Sequence, residues 1–190
     1  GTWAGVRMTL GSADAKVSSF RWWVANRLMF LAAVTSIQGF SPYFLMYAFN
    51  VSSEEAVAMT GKLISMVGLF TLFSAIPAGW ISDRWGQKRM TAFSGLIAAA
   101  GTGIILLTVW QPDLNLLYIA GAVLGLATGL FVTINWALGT RLVPPGEAGR
   151  WLGISNLAGA GAGMIGSGMG GPLADTLNAA SPGAGYFTIF

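Results

Sequence analysis

The chain has 190 residues, 54% of them apolar and only 9% charged, where an average soluble domain carries roughly a quarter of its residues as Asp, Glu, Lys and Arg. Charge this sparse cannot cover a water-soluble globule, so most of the chain must face lipid or other buried helices. With no Cys and no His, thiolate and imidazole catalysis, disulfide frameworks and the usual zinc ligand sets fall away. No enzyme activity, cofactor, metal or nucleic-acid partner is expected.

Residues 1–20 precede a membrane domain expected at 21–190. Crossing a ~30 Å hydrocarbon core at 1.5 Å per residue takes about 20 residues. Five stretches meet that length, at about 21–49, 62–82, 90–110, 115–138 and 150–177. The first holds Arg27, Gln38 and Pro42 and the second Pro77, so both are predicted to be interrupted helices. The third is nearly all apolar or small and is expected to be the most lipid-exposed. The fourth ends in Asn135-Trp136, and the fifth is glycine-rich up to Asp175. A new apolar run from about 185 stops within a few residues, and the chain opens at Gly1 without Met. These ends predict a piece of a longer protein, with a truncated sixth span. No stretch alternates with period two, so the predicted fold class is all-α, a polytopic transmembrane helix bundle.

Short connections make successive spans antiparallel. Arg7, Lys16 and Arg21 precede the first span, Arg84, Lys88 and Arg89 follow the second, and Arg141 and Arg150 flank the fourth connection. These three regions share one side. The alternate connections carry Glu54, Glu55, Asp113 and Asp175, with Lys62 at the head of the second span. The positive-inside rule therefore places the loops at 83–89 and 139–149 in the cytoplasm and the protein in the cell (inner) membrane.

Two glycine stripes are visible. Gly121, Gly125 and Gly129 recur every four residues in the fourth span, and Gly159, Gly163 and Gly171 fall on a similar stripe with Ser155 and Ser167 in the fifth. Small residues at this spacing let helices approach closely where lipid supplies no hydrophobic drive. Among the polar residues, Arg27 is shallow enough to anchor the cytoplasmic end or to pair with a loop acid such as Glu147. Gln38 is deep, shares a face with Pro42, and fits either a cavity wall or an interhelical hydrogen bond. Thr128 and Asn135 lie some 120° round the fourth helix from Gly129, where they can point into a cavity. Asn156 lies on the fifth span's glycine face and is read as an interhelical hydrogen bond. Tyr43 and Tyr47 suit an interfacial aromatic belt. No Asp or Glu lies deep in a span.

The stretch Gly79-Trp80-Ile81-Ser82-Asp83-Arg84-Trp85-Gly86-Gln87-Lys88-Arg89 closely resembles the cytoplasmic loop signature of the major facilitator superfamily, Gly-x-x-x-Asp-Arg/Lys-x-Gly-Arg-Arg/Lys. Gly79, Asp83, Arg84, Gly86 and Lys88 match, while Gln87 replaces the expected Arg and Arg89 stands near it. Here Gly79 permits close helix contact, Gly86 a turn with positive φ, and Asp83 can accept from the N-terminus of a facing helix. The run from Asn135 through Pro144-Pro145-Gly146-Glu147 and Arg150 to Asn156 is similar to the loop between the tenth and eleventh helices of such carriers. The resemblance implies a central cytoplasmic linker at 1–20, then helices seven to eleven, and the start of twelve, of a twelve-helix transporter whose N-terminal half is missing.

The expected function is a secondary transporter working by alternating access, with Gln38, Thr128 and Asn135 as candidate substrate contacts and a sugar-type symporter as one form of it. A multidrug efflux carrier and a non-transporting scaffold or receptor on the same fold are the alternatives. Its partners are the bilayer, a small-molecule substrate, the missing half, and a coupling proton or cation whose acid belongs to that half.

Overall fold

The computed structural model describes residues 15–143, 148–181 and 183–190. Most of the expected linker, and Glu147 with its Pro-Pro-Gly neighbours, lie outside them. The described residues form α1 (Ala15–Phe49), α2 (Ser53–Trp85), α3 (Gln87–Leu107), α4 (Leu114–Leu142) and α5 (Ala148–Gly163), a π-helical segment (Met164–Met169), α6 (Gly170–Ala180) and α7 (Ala184–Ile189). There is no strand among them, so the chain is an all-α polytopic bundle. Four helices, α1 to α4, are long and apolar enough to cross a membrane.

Several expectations are corrected here. The first two helices are not interrupted: α1 runs through Pro42 and α2 through Pro77. In lipid a broken helix would strand backbone groups with no water to receive them, so the helix persists around each proline. The connection expected at 51–61 is much shorter, because Ser52 and Glu55 form a capping box that starts α2 at Ser53. Glu54 and Glu55 then sit in the first turn, where the helix dipole favours negative charge. The fifth stretch is helical but divided by the π segment, which leaves α5 and α6 individually short.

The bundle has two groups. Helix α4 lies between α2 and α3 and is the most buried, while α1 packs along α5 and the π segment. The α4 stripe is a packing face: Gly121 meets Leu63, and at Gly125 a Cβ would lie 2.5 Å from the Val67 carbonyl oxygen and 2.7 Å from Phe70 Cβ. Thr71 Oγ1 donates across this seam to the Gly125 carbonyl at 3.1 Å. Helix α3 closes on the other side, Gly101 against Leu124. The helix least covered within this chain is α2, with 11% of its apolar stretch buried against 28% for α3. The cause is one-sided packing: α4 takes the face bearing Leu63 and Ser74, while Leu72, Phe73, Ile76 and Trp80 stay exposed.

Candidate functional site

Helices α1 and α4 meet antiparallel through a ladder at their basic-loop ends. Gly139 lets the Trp23 indole lie against the α4 backbone, and Trp23 Nε1 donates to the Asn135 carbonyl at 2.8 Å. One turn further along α1, Arg27 Nη1 donates to Asn135 Oδ1 at 3.2 Å. One turn beyond that, Phe30 stacks on Phe131 with centroids 3.6 Å apart. The guanidinium of Arg27 also lies 4.6 Å from the centre of the Trp136 ring, an arrangement that attracts a cation to the negative face of the indole. Asn135 is fully buried and Arg27 nearly so. Arg27 Nε and Asn135 Nδ2 have no partner among the described residues.

This arrangement places Asn135 between helices and not on a cavity wall. Its angle from the glycine stripe agrees with the helical wheel, but the direction it faces is occupied by α1. Arg27 takes the Asn135 amide as its acceptor among the described residues; Glu147, the loop acid named for it, lies outside them. Thr128 is half-buried, and its hydroxyl donates to the Leu124 carbonyl at 2.7 Å. Gln38 is exposed on α1 with no hydrogen bond among the described residues. Eleven residues separate it from Arg27, so it lies about 16 Å further along the helix. The three candidates are therefore not gathered into one site. Gln38 keeps a second polar feature: the helical donor its own carbonyl would use is the nitrogen of Pro42, which carries no proton.

Trp23 and Trp136 are the residues that sequence reasoning missed. The available signal was spacing, since Trp23 stands one turn before Arg27 and Trp136 follows Asn135 directly.

The π segment is a second constructed feature. Thr35 Oγ1 donates to the Ala162 carbonyl and Ser36 Oγ to the Gly166 carbonyl, both at 3.2 Å. These hydroxyls tie α1 to the stretch where the α turns widen into π turns. The buried stripe is Ala158, Ala162, Gly166, Gly170 and Ala174. Gly159 and Gly163 have open space at the Cβ position, and Gly171 barely reaches Phe40, so the expected stripe is not the packing face within this chain. Asn156 is exposed and makes no interhelical bond among the described residues.

In the signature loop, Gly86 has φ +88° and makes the turn from α2 to α3. Asp83 pairs with Arg141 at the end of α4, 3.6 Å apart, and Arg84 lies 4.0 Å over the Trp80 ring. Gly79 has nothing near its Cβ position, so the close contact expected of it is absent among the described residues. Lys88, Arg89 and Arg150 are exposed.

Comparison with known proteins agrees with this architecture. A probable quinate permease of Neosartorya fischeri is 29% identical over 63% of this chain and 22% of its own length. The magnetosome protein MamH of Paramagnetospirillum magneticum is 29% identical over 70% of this chain and 27% of its own. A multidrug resistance protein B homolog of Mycobacterium tuberculosis is 30% identical over 64% of this chain and 21% of its own. The matched stretch thus spans only about a quarter of the length of these relatives. No solved structure gives a significant match. The family model of the Major Facilitator Superfamily matches residues 7–179, and the chain belongs to that superfamily.

Proposed function

We propose that this chain is the C-terminal part of a secondary transporter that moves a small organic solute by alternating access, with the solute held at the midplane between two halves. In this reading 1–20 is the central linker and 21–190 carries helices seven to eleven and the start of twelve. The observation that carries it is Gln38. An exposed amide near the middle of a membrane helix, beside a carbonyl that Pro42 leaves without a helical donor, needs a polar surrounding that lipid does not provide. A water-filled cavity between the halves supplies one. Gln38, with Thr128 on α4, then offers hydrogen bonds to a hydroxylated solute, while Asn135 holds the wall behind them.

The names of the relatives, a quinate permease and a multidrug resistance protein, suggest two solute classes to try. Hydroxylated acids such as quinate form one, structurally varied drugs the other; Gln38 favours the first. Glu54, Glu55, Asp83 and Asp113 stand at helix ends and Asp175 is exposed in the middle of the short α6, so in this reading the group coupling transport to a proton or cation belongs to the other half.

Flux into vesicles containing the full-length parent tests the proposal. Gln38→Leu is expected to weaken solute affinity roughly five- to a hundred-fold, the worth of one buried hydrogen bond to ligand, with the protein still inserted. A folded parent that moves neither solute class would leave the scaffold reading in its place.

A further inference from the structure

Two shallow grooves lie side by side where α2 turns into α3. One, of about 400 Å³, is lined by Arg84, Trp85, Arg89, Met90 and Phe93. The other, of about 430 Å³, runs over Trp85, Gln87, Lys88 and Arg89 to Leu138 and Arg141 on α4. Trp85 and Arg89 border both, so the two form one surface with an apolar end and a cationic end. Phe93, two turns into α3, is about half exposed, and Trp85 is more open still.

Among the described residues the charge balance at this surface is one-sided. Lys88 and Arg89 make no ion pair among the described residues. Asp83 is the acid beside them, and it faces Arg141. Glu54, Glu55 and Asp113 lie at the opposite ends of their helices and Asp175 lies on α6. Cations at the level where a helix leaves the membrane, next to a tryptophan and an apolar strip descending into the span, match a molecule with an anionic head and a hydrocarbon tail.

We propose that this surface seats one anionic phospholipid, its phosphate among Lys88, Arg89 and Arg141 and an acyl chain along Trp85, Met90 and Phe93. The assignment of that lipid to the cytoplasmic leaflet rests on the topology read from the basic loops. The seat itself does not, because it depends only on which residues adjoin. Its position beside the Gly86 turn and the Asp83–Arg141 pair means that a bound phosphate competes with Asp83 for Arg141.

Native mass spectrometry of the full-length protein in detergent is the test, with phosphatidylglycerol, phosphatidylcholine or inorganic phosphate added. The parent is expected to retain one phosphatidylglycerol in preference to phosphatidylcholine. Lys88→Gln/Arg89→Gln should lower that retention roughly 10- to 30-fold, since each cation near the headgroup contributes about five-fold. Lys88→Arg/Arg89→Lys, which keeps both charges, should retain the lipid and shows that the loss is not misfolding. Lys62→Gln, at the other end of α2, should also retain it.

Equal retention of the two lipids by the parent overturns the proposal, and means that the missing half or another protein covers the surface. So does unchanged retention in the double Gln variant. Inorganic phosphate displacing the lipid at equal concentration would reduce the site to an anion site without an acyl seat, and overturns the lipid assignment. If the lipid binds as expected but Lys88→Cys reacts with impermeant reagents from outside cells, the seat stands and only its leaflet changes.

Discussion

Arg27 poses the sharpest energetic question in the chain. A guanidinium largely removed from water has one amide acceptor, two indole faces and no carboxylate among the described residues. Leaving such a charge without its acceptor is costly, whereas replacing both partners by apolar groups of similar shape is close to neutral. Asn135→Leu alone is therefore expected to destabilise by about 2 to 3 kcal/mol. Arg27→Met should cost less, because it strands only a neutral amide and relieves the burial of the charge. The double variant Arg27→Met/Asn135→Leu should be more stable than Asn135→Leu. Thermal unfolding of the four proteins in one detergent measures the cycle, and additive effects would show that the pair does not interact. The same series separates roles: Asn135→Leu should lower stability at unchanged solute affinity within a locked state. The Asp83–Arg141 pair is different in kind. Both side chains are 67% exposed, so the pair contributes at most about 1 kcal/mol, and its use is to hold the α2–α3 turn against α4.

The legibility of the sequence differs between helices for a physical reason. In α4 a single four-residue stripe of glycines runs along the helix, so the wheel identifies the packing face directly, and α2 fills it. In the fifth stretch two stripes of small residues interleave, one through Gly159 and Gly163, the other through Ala158, Ala162, Gly166 and Gly170. Composition does not rank them; contact with Thr35, Ser36 and Phe40 of α1 does. A strict four-residue repeat also advances about 40° past a full turn at each step of an α-helix. The wider turns at Met164–Met169 take part of that drift back and keep the second stripe on α1. The burial of Asn135 against α1 was not legible for a related reason: the wheel fixes a direction on α4 but not the neighbour that fills it. The capping box at Ser52 was readable from Ser and Glu three apart, yet the hydropathy window placed the start of α2 nine residues late. The seam and the open stripe should respond oppositely to the same change. Gly125→Ala is expected to destabilise by about 1 to 3 kcal/mol, because the new methyl meets backbone and Phe70. Gly159→Ala is expected to be neutral or stabilising by up to about 1 kcal/mol from helix propensity, its Cβ position being open. Melting temperatures of the two variants in detergent decide it; equal losses would mean that Gly159 is packed against the other half in the parent.

At the scale of the whole molecule, orientation follows from where the cations cannot go. The α2–α3 turn carries Arg84, Lys88 and Arg89, and α4 ends in Arg141 at the same side, within reach of Asp83. The structure thus brings to one end of the bundle the loops that the charge pattern grouped, while Asp113, capping α4 through the Asn115 amide at 2.7 Å, lies at the other. Basic loops of this length are retained on the cytoplasmic side during insertion. Because the stretch has no native cysteine, single cysteines in it are clean reporters once any elsewhere in the parent are replaced. Lys88→Cys is expected to be shielded from a membrane-impermeant thiol reagent in intact cells and to label once the cells are opened, whereas Asp113→Cys should label in both. Both positions are exposed on this chain, so a failure of Lys88→Cys to label even in opened cells would mean that the missing half covers the turn. Labelling of Lys88→Cys from outside, with Asp113→Cys shielded, would invert the orientation, and with it the assignment of these spans to helices seven to eleven.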